Sequence, residues 1–320
     1  MRNSFKYIIF ISILLLNPRP AFSSWIWTPE TNRWVNPKYS VKDTPKEQLE
    51  YALGFFAAQD YKQASDELNK LIKYYPRARE APEAQFYLGL ILEEQGQFYK
   101  AFKSYQLIIE KYPFSERSAD IVKRQYEIGN KLMEGGGRNK FVNMIVGGDY
   151  DVVEIFRMVI KNAPYGALAA SAQYKIGLYL QGKEMFQEAR DEFEKTINDY
   201  PDSDWAKAAK YQIAISDAKR STDPQYDQQI TKTAVQELKN FVKEYPDAEL
   251  SGQAQAQIDS LREKEAENNF LIARFYEKQK NYESAKIYYG VIVKDYQNTS
   301  WSAKALGKIQ EINAKISSKK

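Results

Sequence analysis

Cysteine and histidine are both absent from the 320 residues. Without thiols there is no disulfide framework, no thiolate metal ligand and no acceptor for a cysteine-linked lipid. Without imidazole, Ser-His and Cys-His nucleophiles and histidine-bound metals are excluded. Catalysis would have to rest on Asp, Glu, Lys or Tyr. A carboxylate pair serves glycosidases, yet in a chain with 42 acidic residues two neighbouring carboxylates are the ordinary property of a solvated face. The sequence reads as that of a protein that is not an enzyme, with no cofactor and no metal. A phosphate-binding loop is missing as well: "MEGGGRNKFVNMIVGGD" is rich in glycine but has no G-x4-G-K-[ST].

Long apolar runs are scarce. Tyr7 to Leu16 is a run of ten, preceded by Arg2 and Lys6 and followed by helix breakers and Ala21-Phe22-Ser23. A span needs roughly 20 apolar residues, so residues 1–23 read as a secretory signal cut near Ser23. Charge of one sign is lacking too. Setting aside Arg2, Lys6 and Arg19 leaves 43 basic against 42 acidic residues, and no basic stripe of the kind nucleic acids require stands out.

What is present is a Trp-rich start and a repeat. Trp25, Trp27 and Trp34 lie within ten residues of a chain with five tryptophans. "WIWTPETNRWV" alternates apolar and polar around a turn, which predicts a small hairpin with an aromatic face, with Trp25 and Trp27 on one strand and Trp34 opposite. Such a hairpin is marginal alone. Three surfaces fit it: the first repeat of its own chain, as an amino-terminal cap; a partner protein; or the lipid headgroup zone.

Six segments then end alike, at Pro76, Pro113, Pro164, Pro201, Pro246 and Gln297: "LNKLIKYYP", "YQLIIEKYP", "FRMVIKNAP", "FEKTINDYP", "LKNFVKEYP" and "YGVIVKDYQ". Each is an amphipathic helix with a stop, followed by a polar turn and an Ala-rich helix start. About 300 residues exceed one compact core, and periodicity of this length implies stacked helical hairpins. Gly89 is followed by Ala101, Tyr105, Ile108 and Pro113; Gly177 by Ala189, Phe193, Thr196 and Pro201; Ala52 by Ala64, Leu68, Leu71 and Pro76; Ala273 by Ala285, Tyr289 and Ile292. Small residues sit where the two helices of a hairpin touch, and a large one fills the next groove. The third and fifth repeats carry extra residues between their helices, read as surface loops. Fourteen extra residues before Ala273 predict one long helix protruding from the array, and Trp301 to Ile316 a terminal helix covering its open end.

This scheme, G-x11-A-x3-[FYL] with a closing Pro, resembles the tetratricopeptide repeat. The resemblance implies an all-α fold, a right-handed solenoid of about six helical hairpins with a capping helix, over residues 44–316. Residues 24–43 precede it as a Trp-rich segment, and 317–320 follow as a loose tail. In that family the first helix of each pair lines a concave face. The corresponding positions are Leu49, Phe86, Tyr126, Tyr174, Tyr211 and Phe270, followed one turn on by Leu53, Leu90, Asn130, Leu178, Ile215 and Arg274. Two readings stand beside each other: core filling between repeats, or an apolar-aromatic lane for an extended or helical peptide, with Leu49, Phe86 and Leu90 as its leading site.

"LREKEAENNFLIARFYEKQKNYESAKIYYGVIVKDY" and "NAPYGALAASAQYKIGLYLQGKEMFQEARDEFEKTINDYPDS" resemble the BamD family, periplasmic repeat proteins of the outer-membrane β-barrel assembly machine. The resemblance implies a non-catalytic scaffold at the inner face of the outer membrane. Its partners would be a barrel-inserting protein and unfolded barrel precursors, with no nucleic acid. Members are usually lipoproteins. This sequence has no cysteine, so membrane contact would be peripheral, through a partner or the tryptophans. Two alternatives remain open: a repeat adaptor of another envelope system, such as Tol-Pal or a pilus secretin, and a peptidoglycan hydrolase built on a solenoid.

Overall fold

The computed structural model describes residues 26–28, 33–35, 40–135, 152–220 and 228–317. The expected signal, Trp25, most of the Gly-rich loop, the core of the loop beginning at Arg220 and residues 318–320 lie outside the described residues. The chain divides into two compact units, Met1–Ala84 and Gln85–Lys320.

In the first unit, β1 (Ile26–Thr28) pairs antiparallel with β2 (Arg33–Val35), with Trp27 directly opposite Trp34. Helix α1 (Pro45–Ala57) begins where Thr44 accepts the Glu47 N–H and Pro45 supplies the first-turn φ. Asp60 caps α2 (Tyr61–Tyr74) in the same way through Gln63 N–H. Ala52 meets this second helix, where Ala64, Leu68 and Leu71 are fully buried.

The second unit is a solenoid of helical hairpins: α3 (Ala81–Glu94) with α4 (Phe98–Lys111), α5 (Ser118–Gly135) with α6 (Val152–Asn162), α7 (Ala169–Gly182) with α8 (Phe186–Asp199), and α9 (Asp204–Arg220) with α10 (Gln228–Glu244). Next comes α11 (Glu249–Lys278) with α12 (Tyr282–Asp295), and last α13 (Ser300–Ser317). The first residues of α3 close the first unit.

Two turns recur. Within hairpins, Gln59, Gly96, Glu184 and Lys280 have φ of 59°, 70°, 62° and 61°. Around each, two backbone bonds form a left-handed helix stop: Glu184 N–H to Gln181 C=O and Met185 N–H to Leu180 C=O, for example. Between hairpins, the residue before each stop donates to the preceding helix and then accepts from the residue three on. Tyr75, Tyr112, Ala163, Tyr200, Tyr245 and Tyr296 all do so. Proline follows five of them and disfavours helix at the residue before it. Tyr296 makes the same turn before Gln297, so proline reinforces the stop without being required for it.

Packing follows the spacing. A methyl placed on Gly177 would lie 2.5 Å from Phe193 Cε1, one on Gly129 2.8 Å from Phe156 Cε1, and one on Gly89 would collide with Tyr105. The third hairpin therefore keeps the scheme despite its insertion, with Val152, Phe156 and Val159 buried. The fifth does so with Ala214, Ala234, Leu238 and Phe241.

The long helix requires a correction. It is one uninterrupted helix of 30 residues, but it does not protrude. Its first half buries Ala254, Ile258 and Leu261 against α9 and α10. Its second half buries Ala266, Phe270 and Ala273 against α12 and α13. The fourteen extra residues cover one hairpin and run without a break into the first helix of the next.

Candidate protein-binding face

The first helices of the hairpins carry the expected lane, and the structure sorts its residues. In the first unit, Leu49 and Leu53 are half-buried on α1. In the second unit, Phe86 is 5% exposed and Tyr174, Tyr211 and Phe270 are each 7% exposed. Each lies against a ring of its own hairpin: Phe86 on Tyr105 at 5.6 Å, Tyr174 on Phe193 at 5.4 Å, Tyr211 on Phe241 at 5.8 Å and Phe270 on Tyr289 at 5.2 Å. Burial pushes the Tyr174 and Tyr211 phenols above their ordinary pKa.

Three of these rings also have lids. The next helix places Arg117 4.6 Å over Phe86, Trp205 5.1 Å from Tyr174 and Trp301 4.9 Å from Phe270. Each lid stands 31 residues after its ring, and for these rings the contacts favour core filling over the open lane. Ring-on-ring and cation-on-ring contacts add about 0.5–1.5 kcal/mol beyond area burial, so these four rings are committed to packing. Ile215 is likewise buried, whereas Leu178 is half-buried. What remains accessible in the second unit is Leu90, Tyr126, Asn130, Leu178 and Arg274. Tyr126 leans on Phe156 at 5.8 Å, and its hydroxyl shares a hydrogen bond with Ser171 Oγ. Lys175 Nζ lies 5.8 Å over the same ring. Asn130 Oδ1 is buried, with no hydrogen-bond partner among the described residues.

Sequence reading also missed a polar seam. Four residues before the small position stand Gln48, Gln85, Gln125 and Gln173. Gln48 Nε2 donates to the Glu67 carbonyl and carboxylate, and Gln173 Nε2 makes the same two bonds to Glu192. Gln85 donates to Ser104 Oγ, while Gln125 turns back to Gln106. Glu192 also meets Lys195 and Arg157, each at 2.8 Å. Burial opposes its charge, but these donors together hold its carboxyl below the usual range.

A second constellation occurs twice. The Tyr105 hydroxyl donates to Glu93, which faces Arg124 and Lys131. The Tyr289 hydroxyl donates to Glu277, which faces Lys308 and Lys315. The offsets are identical, so α13 plays toward α11 the part that α5 plays toward α3. Burial foremost, then the carboxylate, raises both phenols well above their ordinary pKa.

In the first unit, Trp27 and Trp34 are 45% and 65% exposed. Facing each other across the strands, they share one side of the hairpin, and neither is buried as a cap on the first repeat would be.

Among the described residues no helix is long and apolar enough to cross a membrane.

Repeated hairpins with a small-residue contact, a left-handed turn and a Tyr-Pro stop define a tetratricopeptide-repeat protein. Comparison with known proteins agrees. The Tetratricopeptide repeat profile matches residues 48–78, 83–115 and 171–203, the hairpins without insertions. The profile described as Outer membrane lipoprotein matches residues 214–320. The chain resembles the outer membrane protein assembly factor BamD of Caulobacter vibrioides, with 26% identity over 198 residues, 62% of this chain and 60% of that protein. The match thus spans less than two thirds of the relative. Among solved structures, the C-terminal part of a TPR repeat-containing protein from Cytophaga hutchinsonii is 15% identical. It aligns over 82% of this chain and 88% of that one, with a TM-score of 0.36. A tetratricopeptide repeat protein from Parabacteroides merdae is also 15% identical, over 84% and 98%, with a TM-score of 0.34.

Proposed function

We propose that this protein is an exported, non-catalytic scaffold that binds other proteins during assembly of outer-membrane β-barrels. The observation that carries the reading is the match of residues 214–320 to the Outer membrane lipoprotein profile together with the likeness to BamD. In this reading residues 1–23 are a signal, 24–43 a docking segment and 44–316 the repeat array. The protein works in the periplasm at the inner face of the outer membrane. The sequence offers no cysteine for a lipid, so it is held there by a partner or by Trp25, Trp27 and Trp34.

Each unit is read as carrying its own binding face, made of the half-buried members of the expected lane. In the second unit these are Leu90, Tyr126 and Leu178. In the first they are Leu49 and Leu53. Half-buried side chains gain most when a polypeptide covers them. Affinity purification from membranes is expected to recover a barrel-inserting protein. Recovery of only a peptidoglycan-linked or pilus partner overturns the reading. Replacing Leu90 and Tyr126 with Ser is expected to weaken capture of that partner at least tenfold with helical circular dichroism unchanged. Replacing buried Phe86 with Ser instead costs stability.

A further inference from the structure

The fused helix α11 creates a cavity that the scaffold reading does not use. Between α10, α11 and the end of α12 lies a space of about 260 Å³, smaller than the roughly 300–1,000 Å³ of sites for drug-sized ligands. It suits a single small polar group. Its walls are cationic. Lys232, Gln236 and Lys239 stand on one face of α10, and Arg262 reaches in from α11. Neither lysine has an ion-pair partner among the described residues. Arg262 gives one N–H to the Asp295 carbonyl at 2.5 Å and lies 5.4 Å over the Tyr296 ring. That fixes its guanidinium plane and leaves its other donors. Glu265 also lines the space and is buried at 5% exposure.

With Glu265 and Asp295 both ionised, three cations still outnumber two anions around this space. Burial foremost raises the Glu265 carboxyl above its ordinary range, while Lys232, Arg262 and Lys239 oppose the shift. The donors arrive from two separate helices, with an amide between two ammonium groups. A carboxylate is best met by a planar fork, whereas a tetrahedral oxyanion accepts donors from several directions.

We propose that this cavity binds a phosphoryl oxyanion, held by Lys232, Lys239 and Arg262 with Gln236 between the lysines. The group comes either from free phosphate or from an anionic phospholipid headgroup. The test titrates the purified chain with inorganic phosphate by calorimetry against chloride at matched ionic strength, and separately measures sedimentation with phosphatidylglycerol vesicles. Binding in either arm that falls at least tenfold in Lys232→Ala/Lys239→Ala supports the site, and the arm that responds names the source. Helical circular dichroism of the variant should be unchanged, and Lys294→Ala, outside the cavity, should bind as the parent does. The proposal is overturned if phosphate and vesicles bind no better than the chloride control, if the double variant binds equally well, or if a glutamate-rich peptide binds where phosphate does not.

Discussion

Hairpins α3–α4 and α7–α8 are built to one plan and solve it differently. Both put a glycine against a ring, Gly89 on Tyr105 and Gly177 on Phe193. One ring has a hydroxyl. Four residues after Gly89 stands Glu93, which accepts that hydroxyl and meets Arg124; four after Gly177 stands Gln181, which meets Gln212 and Ser216 instead. Arg124 and Gln212 follow their partners by 31 residues. The difference shows that a repeat is not a self-contained unit. A buried phenol needs an acceptor, the ionised acceptor needs a cation, and the cation comes from the following hairpin. With phenylalanine at the ring, the whole chain of requirements turns neutral.

The shared element breaks most. Gly177→Ala puts a methyl 2.5 Å from Phe193 Cε1, and overpacking of this kind costs about 1–3 kcal/mol. Urea unfolding of Gly177→Ala should show that loss. Phe193→Leu in the same chain should recover part of it, because Ala52 with Leu68 is already a working pair in α1–α2. Strict additivity of the two losses would mean that glycine and ring are not in contact.

The next effect converts one hairpin into the other. Glu93→Gln weakens the acceptor of the Tyr105 hydroxyl and leaves Arg124 unpaired, at about 1–2 kcal/mol. Adding Tyr105→Phe gives the Phe-with-Gln arrangement of α7–α8. The double variant is expected to be more stable than Glu93→Gln alone, by a coupling that a double-mutant cycle reads directly.

How much of this was legible in the sequence depends on how many residues a feature needs. The hairpins were legible because each is marked by five or six positions at fixed offsets, such as Gly177, Ala189, Phe193, Thr196 and Pro201. A shift of one residue would ruin all of them together. The openness of the lane was not. Whether Tyr174 faces solvent depends on Trp205, on the helix after its own hairpin, and local periodicity is silent about that. The long helix failed for the same reason. Fourteen extra residues read as an overhang until Ala254, Ile258 and Leu261 are seen to have a hairpin beneath them. The buried glutamines went unread because glutamine on an amphipathic helix looks solvated unless its partner on the second helix is known.

The polar seam separates the two hairpins by pH. Gln173 holds the ionisable Glu192, whereas Gln85 holds Ser104. Because the folded pKa of Glu192 is lowered, its stabilisation is present above the carboxylate's ordinary value of 4.5 and fades as pH falls through the folded value. Glu192→Gln should cost about 1 kcal/mol at pH 7, in the range of a charged hydrogen bond or less. The gap between variant and parent should close as pH is lowered below 4.5, as followed by urea midpoints. Ser104→Ala should show no such closing, since nothing in that pair titrates there.

The smallest effect lies in the turn. Both hairpins place one residue in the left-handed region, Gly96 at φ 70° and Glu184 at φ 62°, and both close it with the same pair of backbone bonds. Glycine reaches this region freely, while a residue with a Cβ is strained there. Glycine also loses more chain entropy on folding, which offsets part of the relief. Glu184→Gly should therefore raise stability by only about 0.5 kcal/mol, and Gly96→Ala should lower it by about 1 kcal/mol. The asymmetry matters more than either size. If Gly96→Ala were neutral, the turn would be dictated by the packing of the two helices rather than by its own residue. The occurrence of Gln59, Glu184 and Lys280 at the other copies would then need no local explanation.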